Sequence, residues 1–160
     1  MSNWINSNNF ASRNKTKINM QYHITRQNEG FPLLSRIIED VVKDNYAMGL
    51  LATEDVYAMT VIGSDEELTQ EYIRINIRMT EDEDFIQTIS VIDLDEGPQQ
   101  KAFMESALGQ GFIVDEAFPN MLNYEMPADQ FIDGMFIESI LRQVFNLKDD
   151  SAIFATTSLE

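Results

Sequence analysis

The chain contains no cysteine. That excludes a disulfide framework, a thiolate zinc centre and a cysteine nucleophile, and it fits a reducing compartment. Histidine is nearly as scarce, and the single His23 cannot supply a histidine-rich metal site. No run approaches the roughly 18 consecutive apolar residues that a membrane-spanning helix needs. The N-terminus has no apolar core of the kind a secretory signal carries, so the cytoplasm is the expected location. The acceptor-like tripeptide Asn14-Lys15-Thr16 is therefore empty of meaning as a glycosylation signal. No serine sits in a G-x-S-x-G elbow, and Gly109-Gln110-Gly111 lacks the Lys and Ser/Thr of a phosphate loop.

Positive charge is the other scarcity. Eleven Lys and Arg face 27 Asp and Glu across 160 residues, a net charge of −16. The imbalance is uneven. Residues 1–30 carry four bases and one acid, a net +3, whereas residues 31–160 carry seven bases and 26 acids, a net −19. A body of that charge repels nucleic acid and anionic membrane and attracts basic surfaces. The expected partner is a protein with a basic surface, with no nucleic acid and no membrane.

What is present is the composition of a folded protein: 44% hydrophobic residues, with Phe 10, Met 9 and Tyr 5. The length fits one domain with a core of its own. Two regions are expected: a basic, Asn/Ser-rich leader over 1–30 and a single acidic α+β domain over 31–160. The leader has two readings, a loosely attached segment or an arm that folds back on the acidic body with Trp4 and Phe10 as anchors. Met20 is a second candidate start.

Periodicity lays out the elements. Pro32 and the stripe of Leu33, Leu34, Ile37, Ile38, Val41 and Val42 predict a helix over 32–44. Segments 46–52 and 56–62, around Thr53-Glu54-Asp55, read as a hairpin. Segment 71–80 alternates strictly: Ile73, Ile75, Ile77 and Met79 against Tyr72, Arg74, Asn76 and Arg78. It is expected to pair with 85–94 across the acidic turn 81–84. A second helix is predicted over 98–110, burying Ala102, Phe103, Ser106 and Ala107 and capped by Gly111. Strands follow at 112–118 and 121–126, then a helix over 128–147 with Ile132, Met135, Phe136, Ile140, Val144 and Leu147 as its stripe. Gly134 costs about 1 kcal/mol against Ala inside a helix, so it marks a close backbone approach. The tail, 151–160, is mobile or forms one last edge strand through 153–155. The sum is an antiparallel sheet of about four to six strands with helices near 32–44, 98–110 and 128–147 packed mainly on one face.

The chemistry-bearing residues are the clustered acids. An EF-hand loop counted from Asp93 places glycine at the fifth position and Met104 at the twelfth, so that match fails. Many carboxylates and no means of choosing a pair leave no catalytic set, no metal site and no cofactor to expect. The candidate partner-binding residues are Glu81, Asp82, Glu83 and Asp84, with Asp65, Glu66 and Glu67. Met48, Met59, Met79, Met104, Met121, Met126 and Met135 fill the core or, on an exposed face, form an adaptable binding surface. The last helix is apolar over a wide arc, with Phe131, Leu141 and Phe145 beside the main stripe, which predicts a homodimer.

The LLSRIIEDVV helix, the EYIRINIRM and FIQTISVIDL strands, and GFIVDEAFPNMLNYEMP leading into FIDGMFIESILRQVF together resemble the type III secretion chaperone-like fold, shared with YbjN-type sensory-transduction regulators. The basic leader departs from that pattern. The resemblance implies a homodimer that holds a protein client on sheet and helix surfaces, and it brings no catalytic residues. The functional expectation is a non-enzymatic, acidic, chaperone- or adaptor-like module that binds a protein partner through charged and apolar surfaces. The alternative is a small acidic inhibitor (a phage antagonist, a DNA mimic or an immunity-type protein) that blocks a basic site on an enzyme. An exposed apolar groove speaks for the first, and carboxylates along one elongated face for a DNA mimic.

Overall fold

In the computed structural model, residues 5–6, 18–25, 31–50, 58–65, 67–94, 97–148 and 151–159 are described. The elements run β1 (Ile5–Asn6), β2 (Ile18–Thr25), α1 (Phe31–Leu50), β3 (Ala58–Gly63), β4 (Glu71–Met79), β5 (Phe85–Val91), α2 (Pro98–Glu105), β6 (Ile113–Val114), β7 (Leu122–Pro127), α3 (Gly134–Val144) and β8 (Ala152–Leu159). One sheet has the order β1-β2-β8-β3-β4-β5-β7-β6, and each neighbouring pair is antiparallel. Its outermost strands have two residues each, so six longer strands carry the sheet. The protein is an α+β fold, with three helices among the described residues beside an open antiparallel sheet.

The alternation in β4 sorts its residues as expected. Ile73, Ile75 and Ile77 are buried, and they align with Val91, Ile89 and Gln87 of β5. Beyond β5 the register continues to Leu122, Tyr124 and Met126 of β7. These rows meet Leu34, Ile38, Val41, Val42, Ile137, Ile140 and Leu141 from α1 and α3 in one core. The opposite face carries Arg74, Asn76, Thr88, Ser90 and Asn123. A sheet with one packed and one wet face reads as clean alternation, which is why this part was legible in sequence.

Several expectations are corrected. The predicted strand over 46–52 is helical as far as Leu50, because Leu34, Ile38, Val41, Val42, Asn45 and Met48 form one continuous buried stripe. Asn45 interrupts that stripe in hydropathy but not in space: it is 0% exposed, and its amide nitrogen and oxygen have no hydrogen-bond partner. The proposed turn at 53–55 lies outside the described residues. The helix predicted over 98–110 ends at Glu105, and it buries Gln100 and Phe103 while Ala102 and Ala107 stay exposed. Its C-cap is Ser106 rather than Gly111. Strand 112–118 shrinks to Ile113–Val114, because Asp115 folds the chain back at once.

The last helix begins at Gly134, not at 128. Asp133 is its N-cap, accepting from the Met135 amide at 2.9 Å. Residues 128–133 instead form a turn and an irregular stretch between β7 and α3. The buried helical residues are Gly134, Ile137, Glu138, Ile140 and Leu141, whereas Met135 and Phe131 are more than half exposed.

The C-terminal strand is not at an edge. β8 lies between β2 and β3, pairing with β2 over eight residues and with β3 over six. β2 and β3 are therefore parallel to each other, and α1 is the crossover between them. Ile18–Thr25, which falls within the span read as leader, contributes the whole of β2.

At the junction of α1 and α3, Ser35 Oγ donates to Glu138 Oε1 at 3.0 Å, and Arg142 Nε donates to Glu138 Oε2 at 3.0 Å. Glu138 is 0% exposed. A Cβ on Gly134 would overlap the Ser35 carbonyl and lie 2.7 Å from Glu39 Cγ. The close approach expected at Gly134 is thus real, and it is the contact between α3 and α1.

Candidate protein-binding surface

The turn after β4 is built by backbone bonds. Glu83 N–H donates to the Thr80 carbonyl at 3.0 Å, and Thr80 N–H to the Asp84 carbonyl at 2.8 Å. Glu83 sits at φ 65°, the left-handed position that closes a three-residue hairpin loop and usually holds glycine. Glu81, Asp82, Glu83 and Asp84 are all exposed. Four carboxylates on one tight turn repel one another and raise the local negative potential.

Pairing of β5 with β7 sets Pro127 opposite Ile86 and Glu125 opposite Thr88, so the end of β7 lies alongside this turn. Between them opens a cleft of about 700 Å³. Asp82, Glu83, Asp84, Glu125 and Asp129 line it, with Tyr46 of α1 and the apolar Phe85, Ile86, Met126, Pro127 and Ala128. No basic side chain among the described residues lines it. Arg78 is nearby, 3.6 Å from Glu125, but both partners are about half exposed and the pair is weak.

The cleft continues. Tyr46, Ala128 and Asp129 also border a recess of about 120 Å³ that reaches Val42, Gln87, Phe131 and Ile132. Phe131 and Ile132 in turn border a groove of about 390 Å³ walled by Leu108, Tyr124, Met126 and Phe136. Three hollows thus follow one another along residues 125–136, acidic at one end and mainly apolar at the other, where Asp133 is the single carboxylate.

The two acidic clusters named as candidate partner-binding residues do not meet. Asp65 and Glu67 lie in the loop that enters β4, whereas Glu81 to Asp84 lie in the turn that leaves it. Nine residues of strand put them roughly 30 Å apart. Glu66 lies outside the described residues. Asp65 is occupied with its own loop: it accepts from the Thr69 hydroxyl and from the Thr69 amide at 2.8 Å, and these bonds hold its carboxyl below the usual value of 3.8. Sequence reasoning missed Glu125 and Asp129, which are isolated acids in the chain and join the cluster through the β5–β7 pairing alone.

Among the described residues, no group of three or more His, Asp or Glu is arranged to hold a metal ion. No described helix is long and apolar enough to cross a membrane. Neither a protein-family profile nor a curated protein matches this chain. The surface has therefore to be read from its own geometry.

A second apolar patch stands at the β6 edge, where Ile113, Val114 and Phe118 are exposed. Asp115 organises it. Its carboxylate accepts from the amides of Ala117 at 2.8 Å and Phe118 at 2.9 Å, and from Asn123 Nδ2 at 2.7 Å. Asn123 Oδ1 accepts from Ser90 Oγ at 2.8 Å, which ties the loop to the open face of the sheet. The Asn123 bond, followed by the two amides, holds the Asp115 carboxyl below 3.8. A carboxyl lowered in the folded state stabilises it above the unfolded value and loses that contribution as pH falls. Asp115→Ala should therefore melt below wild type at neutral pH. The difference should narrow as pH falls below 3.8, and melting curves across that range report it. A gap that stays constant with pH would show that the carboxylate bonds do not hold this loop.

Proposed function

We propose that this chain is a non-enzymatic protein-binding module of the acidic adaptor or chaperone-like kind, and that the cleft and grooves along residues 125–136 receive its partner. One observation carries the reading: the acidic cleft leads, through residues shared with a small mixed recess, to a groove walled mainly by apolar side chains. A segment with basic residues followed by bulky apolar ones matches that sequence of surfaces. Charge steers the encounter, and burial of apolar side chains at Phe131, Tyr124 and Phe136 holds the complex.

The acidic-inhibitor reading has one supporting observation, the four exposed carboxylates of the β4–β5 turn. A DNA mimic needs its acids along a continuous face, and the separation of the two clusters to opposite ends of β4 favours the adaptor reading over it.

The test is capture of a partner from lysate, followed by association kinetics against ionic strength. Association should slow as salt shortens the screening length to about 8 Å near physiological strength. Asp82→Lys, Glu83→Lys and Asp84→Lys together should slow it by tenfold or more. The same charge change at Glu67, Glu105 and Glu116, toward the other end of the sheet, should slow it by less than threefold. Equal slowing by both sets would mean that net charge acts without a site.

A further inference from the structure

The recess behind the cleft holds a polar atom that nothing satisfies. Gln87 is 1% exposed and faces the helices from β5. Its Nε2 donates to the Gln130 carbonyl at 3.4 Å, while Oε1 is buried without a hydrogen-bond partner. Buried polar atoms in native proteins are nearly always paired, so an orphan acceptor that borders a hollow points to a donor arriving from outside.

The walls narrow the kind of donor. Tyr46, Ala128 and Phe131 offer apolar surface along the recess, and Asp129 stands where it joins the cleft. A donor that carries positive charge is drawn in by the cleft, and one on an apolar stem is accommodated by the walls. Lysine combines the two: a four-carbon stem that packs on apolar surface and a compact head with three N–H donors. The chain's own Lys43 also borders the recess, with Nζ 5.3 Å from the centre of the Phe131 ring. Against that single ammonium stand the five carboxylates of the cleft.

We propose that the recess is a socket for one lysine side chain of the bound partner, whose ammonium donates to Gln87 Oε1 and is neutralised by Asp129. This rests on the protein-binding reading above and gives it a specific anchor. A fully methylated lysine keeps the charge but has no N–H to give, so the socket should reject it. An aromatic cage would instead prefer it.

The experiment uses the full chain and three fluorescent peptides of alternating glycine and basic residue, carrying lysine, trimethyl-lysine or arginine. Binding is followed by anisotropy at low ionic strength. The lysine peptide should bind wild type about tenfold more tightly than the trimethyl-lysine peptide. Gln87→Met, which keeps the length of the side chain and removes the acceptor, should abolish that preference. Asp129→Asn should weaken the lysine peptide about tenfold, and Glu67→Gln by less than twofold. Arginine should bind more weakly than lysine, because its donors are spread over a rigid planar fork rather than gathered in a compact head that can reach one acceptor; equal or tighter binding of arginine overturns the choice of lysine. Equal or tighter binding of trimethyl-lysine by wild type overturns the socket without any variant, as does a lysine preference that survives Gln87→Met in a protein that melts normally. If none of the peptides binds wild type, the socket falls, whereas the protein-binding reading falls only if the captured partner's association is slowed equally by both sets of charge reversals.

Discussion

Replacing Arg142 by methionine should destabilise the protein by about 3–5 kcal/mol, because it removes the cation paired with a buried carboxylate. Glu138 is 0% exposed and accepts from Arg142 Nε and Ser35 Oγ, each at 3.0 Å. The two charges form an i,i+4 pair on α3 whose arginine is about three-quarters buried. Removing the cation takes away the positive charge paired with a carboxylate in the core between the helices. In a chain of this size each kcal/mol is worth about 2–4 °C in melting temperature, so a fall of about 10 °C is expected. The second half of the prediction runs the other way. Replacing all three residues by Ser35→Ala, Glu138→Leu and Arg142→Met should recover most of the lost melting temperature, because the buried carboxylate is then removed together with its arginine. Urea and thermal unfolding of both variants provide the check. A single variant that melts within 2 °C of wild type would show that the ion pair contributes little.

The second large effect is expected at Gly134→Ala, where two forces oppose each other and the sign reports which wins. Within a helix, alanine is favoured over glycine by about 1 kcal/mol. Here the added methyl meets the Ser35 backbone carbonyl and comes within 2.7 Å of Glu39 Cγ. Glu39 can swing away, but the carbonyl belongs to the α1 backbone and cannot. The helices must separate, which also lengthens the Ser35–Glu138 bond. Overpacking against backbone costs about 1–3 kcal/mol, with the upper end expected where relief is blocked, so the net loss is about 2 kcal/mol. Met135→Ala, one residue further and 52% exposed, should change stability by about 0.5 kcal/mol or less. A stabilised Gly134→Ala variant would mean that α1 and α3 do not touch at this point.

Both predictions concern a junction that the sequence half disclosed. Gly134 stood out as a glycine in a helical pattern, and that is a local signal. Its counterpart was not local: nothing in the chain ties it to Ser35, or Ser35 to a glutamate 103 residues later. The candidate site divides in the same way. Asp82, Glu83 and Asp84 were legible because consecutive acids in a turn declare themselves. Glu125, Asp129 and Gln87 were not, because single polar residues carry no pattern until strand pairing brings them together. Asp65 and Glu67 were equally legible as acids in a turn, but a nine-residue strand holds them apart from the cleft, which composition could not show.

The sequence by itself determined the charge of the body, the α+β class, the alternation of β4 and its pairing with β5, because these depend on composition and on contacts between near neighbours in the chain. The tertiary structure alone decided the rest. It extended α1 through Asn45, because burial on the sheet outweighs one polar residue in a stripe. It started α3 at Gly134, because Asp133 caps the helix there. It placed the last strand in the middle of the sheet, because β8 satisfies the backbone of β2 and β3 at once. A strand's own residues can announce that it will pair, but the partners lie up to 141 residues away and are fixed by the fold as a whole.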